Sequence, residues 1–221
     1  MNKPGAFLFD LNGTMIDDMH FHLKVWHSVI NEELGGNLSL EEVRGHMYGK
    51  NHELLARVFG SDRFSLQEMD LISHNKEVKY QEAYKPHLKL LPGLEKFLNL
   101  AHLENVKMAI GSAAIPFNID FVLDNLDLRH YFPVIVSAED VLESKPHPET
   151  YLKAAKLLNV EPSACIVFEY APKGVEAALN AGMKAVAITT LHHEEEFVQY
   201  PNVLFYIKDY NNSEVKKLIS S

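Results

Sequence analysis

The residues best placed to do chemistry start with one carboxylate. Residues 6–9 are four apolar side chains that run straight into Asp10. Such a run reads as a short strand buried on both faces. Open α/β sheets hold their ligands outside the C-terminal ends of such strands, so Asp10 stands where a carboxylate can meet a ligand. Gly13, three residues on, lets the backbone turn sharply or approach that ligand closely. The run 106–111 leads into Ser112, Lys145 precedes Pro146, and 166–168 leads into Glu169. A carboxylate can carry a phosphoryl group covalently. An ammonium with hydroxyl and amide donors can neutralise that group as it moves. Each residue also has a plain structural use. Asp10 and Ser112 can cap turns, Lys145 can be a solvated loop lysine, and Glu169 can balance a helix dipole.

The elements that must position them follow from periodicity. After residue 14 the pattern becomes helical, with Val25, Val29 and Ile30 on one face and Gly35-Gly36 as the stop. Ser39-Leu40-Glu41-Glu42 and Ser65-Leu66-Gln67-Glu68 are capping boxes. They open helices beginning near 40 and running from 66 to about 84, with a short helix over 53–59 between them. Residues 17–86 thus form an all-helical insert. From Leu91-Pro92-Gly93 onward strands and helices alternate. Strands are predicted over 106–111, 133–137, 164–168, 184–189 and 203–206, and helices over 94–103, 116–126, 148–158, 173–181 and 213–220. That alternation predicts an α/β fold with a doubly wound parallel sheet, a Rossmann-like core made of 1–16 and 87–221. Right-handed crossovers bring the strand ends to one edge, which collects Asp10, Ser112, Lys145 and Glu169.

Composition narrows the function. A net charge of −9 argues against a nucleic-acid-binding surface. No apolar run approaches the roughly 18 residues of a membrane span. The single cysteine, Cys165, cannot form an internal disulfide. A reducing, cytoplasmic setting is expected.

The motifs in their order resemble the haloacid dehalogenase-like hydrolase superfamily. Its first motif, D-x-D-G-T, matches Asp10-Leu11-Asn12-Gly13-Thr14. The strand ending at Ser112, the pair Lys145-Pro146 and the acidic strand end Glu169-Tyr170 match the other three. The resemblance covers nearly the whole chain and is closest to the β-phosphoglucomutase-like branch of phosphatases, phosphomutases and pyrophosphatases. It implies an inserted helical cap, a Mg²⁺ ion and an aspartyl-phosphate on Asp10. Lys145 would pair with Asp10 and the phosphoryl oxygens. Ser112 and the backbone amides near Leu11 to Gly13 and Ala113 would donate to the phosphoryl group, with Gly13, Thr14 and Ala113 among the substrate-binding residues. Asp10, the carbonyl of Asn12 and Glu169 would hold Mg²⁺. His22, Lys50 and Lys76 match cap positions that face the substrate.

The chain departs from the family's pattern twice. Asn12 stands where the general acid–base Asp is usual, and a carboxamide cannot shuttle a proton at neutral pH. Tyr170 stands where a metal-ligating Asp is common, and a phenol is a poor Mg²⁺ ligand. The expected function is a Mg²⁺-dependent phosphatase for a small phosphorylated metabolite, impaired by Asn12. A phosphomutase, a pyrophosphatase and a non-catalytic phosphate-ligand-binding protein are the alternatives.

Overall fold

The computed structural model describes residues 3–219. The chain divides into two compact units, Met1–Asp17 with Lys89–Ser221, and Asp18–Leu88. The sequence pattern places the helical insert at 17–86, within two residues of those bounds.

In the first unit six strands form one parallel sheet in the order β3-β2-β1-β4-β5-β6. They are β1 (Ala6–Phe9), β2 (Lys107–Gly111), β3 (Val134–Val136), β4 (Cys165–Glu169), β5 (Lys184–Ile188) and β6 (Val203–Ile207). Burial on both faces explains the unbroken apolar runs: every residue of β1 and β4 is buried. β1 lies at the centre, with Ala6 opposite Lys107 on one side and Cys165 on the other. Helices α5 (Leu94–Leu103), α6 (Pro116–Asn125), α7 (Glu149–Leu158) and α8 (Pro172–Asn180) fill the crossovers. The helix expected over 213–220 is Ser213–Lys217, and residue 220 lies outside the described residues. One face of the sheet packs Leu8, Ala109 and Val167 against α7 and α8 through Tyr151, Ala154 and Ala177. Phe7, Phe9, Phe97 and Phe168 form an aromatic layer beneath the end of β1, with Phe9 and Phe168 stacked 4.8 Å apart. Offset ring contacts of this kind add to the burial term and stiffen the layer.

The second unit is helical: α1 (Met19–Ser28), α2 (Leu40–His46), α3 (Asn51–Phe59) and α4 (Leu66–Tyr84). Both expected capping boxes are formed, with Ser39 and Ser65 each accepting from the N–H three residues on and Glu42 and Glu68 bonding back. The first helix changes character before its expected end at Leu34. α-Helix stops at Ser28 and a π-turn covers Val29–Glu33, closed by Leu34 N–H to Val29 O at 3.1 Å. Among the described residues, no helix is long and apolar enough to cross a membrane.

Candidate active site

Asp10 is the first residue after β1, and its N–H bonds to Phe168 O of the neighbouring strand at 3.0 Å. Its carboxylate is therefore fixed to the sheet rather than to a free loop. Oδ1 accepts from Lys145 Nζ at 2.9 Å and Oδ2 from the Thr14 hydroxyl at 3.1 Å. The turn that returns Thr14 to Asp10 depends on Gly13, whose φ of +75° suits glycine. Gly13 O accepts from the Thr190 hydroxyl at 2.7 Å, and Thr14 O from the Tyr210 hydroxyl at 3.1 Å. The loop that follows Asp10 is thus tied to the ends of distant strands.

Lys145 is buried and bridges two carboxylates, with Glu169 Oε1 at 2.7 Å on its other side. Glu169 ends β4 and is only 1% exposed. Its Oε1 also accepts from the Tyr151 hydroxyl at 3.1 Å, and Oε2 from Ala171 N–H at 2.8 Å. The carboxylate lies on the first turn of α8, where the helix dipole favours negative charge. Gly174 makes this possible, since a Cβ there would fall 1.8 Å from Glu169 Oε1. Ser112 ends the hydrogen-bonding run of β2, its N–H bonded to Val136 O at 2.9 Å. Its Oγ accepts from Ala114 N–H at 3.1 Å, so its own proton is what it can offer a ligand.

Burial and charge oppose each other here. Burial pushes the Asp10 carboxyl up, to about 7, against the pull of Lys145. Burial alone would lower Lys145, but Asp10 and Glu169 on either side hold its ammonium above the ordinary lysine value. Burial, with Glu169 and Asp10 nearby, raises Tyr151 well above an ordinary phenol, so its hydroxyl remains a donor.

The structure gathers Asp10, Thr14, Lys145 and Glu169 into one hydrogen-bonded set. Thr14, expected to meet substrate, instead gives its hydroxyl to Asp10. Tyr170 lays its ring on the loop that follows Asp10: a Cβ on Gly13 would come 2.7 Å from Tyr170 Cγ. Sequence reasoning did not name Tyr151, Thr190, Tyr210 or Gly174. A glycine inside the first turn of a predicted helix was the one visible signal, because that position usually disfavours it.

A hard divalent cation suits the donors present, which are all oxygens. Asp10, the main-chain carbonyl of Asn12 and Glu169 would hold it. The Gly174 cradle keeps Glu169 at the strand edge for that task, though three protein hydrogen bonds already engage its oxygens. The donor set is lean: among the described residues no group of three His, Cys, Asp or Glu side chains is arranged to hold a metal. Binding should therefore be weak without further oxygens from a ligand.

The helical unit holds the remaining candidates. His22 and Lys76 meet each other, with Lys76 Nζ 2.6 Å from His22 Nδ1 and 2.9 Å from Glu77 Oε2. His22 Nε2 lies 3.3 Å from Asp18 Oδ2. Tyr80 stacks on His22 and bonds Asp18. Lys76, expected to reach substrate, is 1% exposed. Burial pulls the Lys76 ammonium below its ordinary value, against Glu77. Burial alone would raise Glu77, but Lys76 and His22 hold it down at about 2. Glu77 therefore adds stability above its ordinary value of 4.5, and that stability fades as pH falls toward 2. Lys76→Met should leave Glu77 buried without its ammonium partner, costing about 3–5 kcal/mol in denaturant titrations. A loss below ~1 kcal/mol would mean Glu77 finds water in its place. Lys50 stands before α3, its N–H bonded to Glu53 Oε2 at 3.0 Å, and Asn51 Nδ2 reaches Glu77 Oε1 at 2.8 Å.

Comparison with known proteins agrees with this geometry. Residues 7–188 match the family model described as haloacid dehalogenase-like hydrolase. The chain is 32% identical to the fructose-1-phosphate phosphatase YqaB of Escherichia coli over 205 residues, covering 86% of this chain and 98% of that protein. It is 28% identical to the β-phosphoglucomutase of Bacillus subtilis, covering 83% of this chain and 82% of that protein. A crystal structure of β-phosphoglucomutase from Clostridium difficile superposes with a TM-score of 0.83 at 26% identity, covering 98% of this chain and 97% of that one. An aspartate at the end of the central strand, a lysine bridging it to an acidic strand end, and these likenesses together make the chain a member of the haloacid dehalogenase-like hydrolase family, in its β-phosphoglucomutase-like branch.

Proposed function

We propose that the chain is a phosphoric monoester hydrolase for a small phosphorylated metabolite, assisted by Mg²⁺ and impaired by Asn12. The observation that carries this reading is the buried Asp10 carboxylate held between the Lys145 ammonium and the Thr14 hydroxyl. Two fixed donors orient the carboxylate for attack, and Lys145 stands ready to neutralise the transferring group. Asp10 oxygen attacks phosphorus, the bond from phosphorus to the alcohol oxygen breaks, and an aspartyl-phosphate forms on Asp10. The alcohol needs a proton as it leaves. Water then attacks phosphorus, the bond to Asp10 breaks, and phosphate departs. Asn12 can neither give the proton nor take it from water, so both halves of the reaction slow. The Ser112 hydroxyl and nearby amides donate to phosphoryl oxygens. Mg²⁺, when bound, supplies further positive charge to the same oxygens.

The test is a phosphate-release screen over sugar phosphates, other phosphate monoesters and pyrophosphate. Release from monoesters supports the reading. The likeness to β-phosphoglucomutases favours a second reading, transfer back to a sugar, which would appear as isomerised sugar phosphate with little free phosphate. Binding of phosphate with no turnover of any substrate, even with Asn12→Asp, would favour the non-catalytic role.

The cation site is tested separately. Glu169→Gln should weaken Mg²⁺ binding about tenfold, the usual worth of a supporting carboxylate. Tyr170→Asp should tighten it by adding a hard oxygen. Calorimetric titration with Mg²⁺ in the presence of inorganic phosphate reads both. Unchanged affinity in both variants would remove residues 169 and 170 from the cation site.

A further inference from the structure

One buried side chain at this site has no part in the reaction just described. Tyr151 sits in the first turn of α7, is fully buried, and touches both partners of the Asp10 carboxylate system. Its hydroxyl donates to Glu169 Oε1 at 3.1 Å, the same oxygen that accepts from Lys145. Its ring lies under the ammonium, with Lys145 Nζ 4.7 Å from the ring centroid. The room for that ring comes from Gly111 at the end of β2, where a Cβ would stand 3.1 Å from Tyr151 Cε1. Two residues that sequence patterns do not connect are thus matched in size.

The contacts divide the work between hydroxyl and ring. Glu169 Oε2 is held by Ala171 N–H, and Oε1 accepts from both Lys145 and the Tyr151 hydroxyl. Of the two donors to Oε1, the phenol hydroxyl is carried by a buried, packed ring, so it holds the carboxylate plane independently of where Lys145 stands. A carboxylate with a fixed plane gives Lys145 one defined acceptor on that side. The ring face attracts the ammonium from below by its quadrupole, an interaction strengthened by burial of both groups. With Glu169 and the ring holding two sides, the remaining donor direction of Lys145 is Asp10 Oδ1 at 2.9 Å.

We propose that Tyr151 is a positioning residue: its hydroxyl sets Glu169, its ring supports the Lys145 ammonium, and together they keep Lys145 on Asp10. Its effect on turnover rests on the phosphatase reading, but its effect on geometry does not.

The experiment therefore has a structural and a kinetic arm. Crystal structures of the full chain carrying Tyr151→Phe should show an unchanged fold with the Glu169 carboxylate rotated and the Lys145–Asp10 contact lengthened or lost. Retention of the Ala171–Glu169, Lys145–Glu169 and Lys145–Asp10 contacts at their present distances would overturn the proposal. In the Asn12→Asp background, Tyr151→Phe should lower kcat on the best substrate from the screen about tenfold while KM moves less than about twofold. Tyr151→Leu, which also removes the ring face, should lower kcat about tenfold further. A merely structural tyrosine would lower the melting temperature and leave kcat per folded molecule intact, and that result also overturns the proposal. The Glu169→Gln background separates the two roles. There Tyr151→Phe should have little further effect, because the hydroxyl acts through Glu169. Additive losses would show that Tyr151 acts elsewhere. If the screen finds no substrate, the phosphatase reading fails while the crystal structures still decide the role of Tyr151.

Discussion

Asn12→Asp is expected to raise turnover of phosphate monoesters by about 10²–10⁴-fold, the usual worth of a positioned general acid–base. The side chains that hold and orient Asp10 are in place. Lys145 and Thr14 orient the carboxylate, and Thr190 and Tyr210 anchor the loop that carries residue 12. A carboxamide has the size and shape of the acid it would replace, so the exchange should leave the loop unchanged. What it adds is one exchangeable proton at the leaving alcohol and one base for water. The gain should therefore lie mainly in kcat, with a modest change in KM. Steady-state phosphate release by the two proteins on one substrate checks it. Equal rates would remove residue 12 from the mechanism.

Asp10→Ala in the Asn12→Asp background is expected to cut turnover by at least about 10⁴-fold, as loss of a covalent nucleophile does in other enzymes. No other carboxylate at this edge can take over: Glu169 is held by Lys145, Tyr151 and Ala171 N–H and faces the start of α8. Beryllofluoride, a phosphoryl mimic, should form its adduct on Asp10 and be lost in the variant, which ¹⁹F spectra would report. Since removing Asp10 leaves Lys145 with one acidic partner instead of two, the variant's circular dichroism and melting temperature should be measured alongside. Turnover that survives in a folded Asp10→Ala protein would mean direct attack by water.

Much of this was legible in the sequence, and the reasons are physical. Strands buried on both faces must be apolar throughout, so β1 and β4 stand out as unbroken runs ending in Asp10 and Glu169. Capping boxes use side chains at fixed spacing, so the starts of α2 and α4 were readable to the residue. The convergence of Asp10, Lys145 and Glu169 followed from strand alternation together with the order of the motifs that resemble the family's. What stayed hidden depends on contacts between residues far apart in sequence. Tyr151 and Gly111, or Thr190 and Gly13, meet only after the sheet has assembled. Nothing local marks Lys76 as interior, since it follows the polar run Ser73-His74-Asn75 in a helix whose buried face is itself largely polar: Ser73, Lys76, Glu77, Tyr80 and Tyr84. The π-turn at Val29–Glu33 was likewise invisible, because one extra residue per turn leaves the apolar pattern nearly intact.

The central place of β1 has a consequence for how the protein is made. The strand that presents Asp10 finds its two neighbours only at Lys107 and Cys165, with the whole helical unit intervening before the first of them. The helical unit makes its contacts locally and can form early, whereas the ladder around β1 must wait for long loops to close. During synthesis the nucleophile strand therefore emerges long before it can be paired, as a bare apolar segment of the kind that chaperones hold. Until β4 has been translated, Asp10 has neither the main-chain acceptor that fixes it nor the acidic partner of its lysine. The set around Asp10 is completed late, and a chain interrupted before residue 169 would carry Asp10 without Glu169, Thr190 or Tyr210.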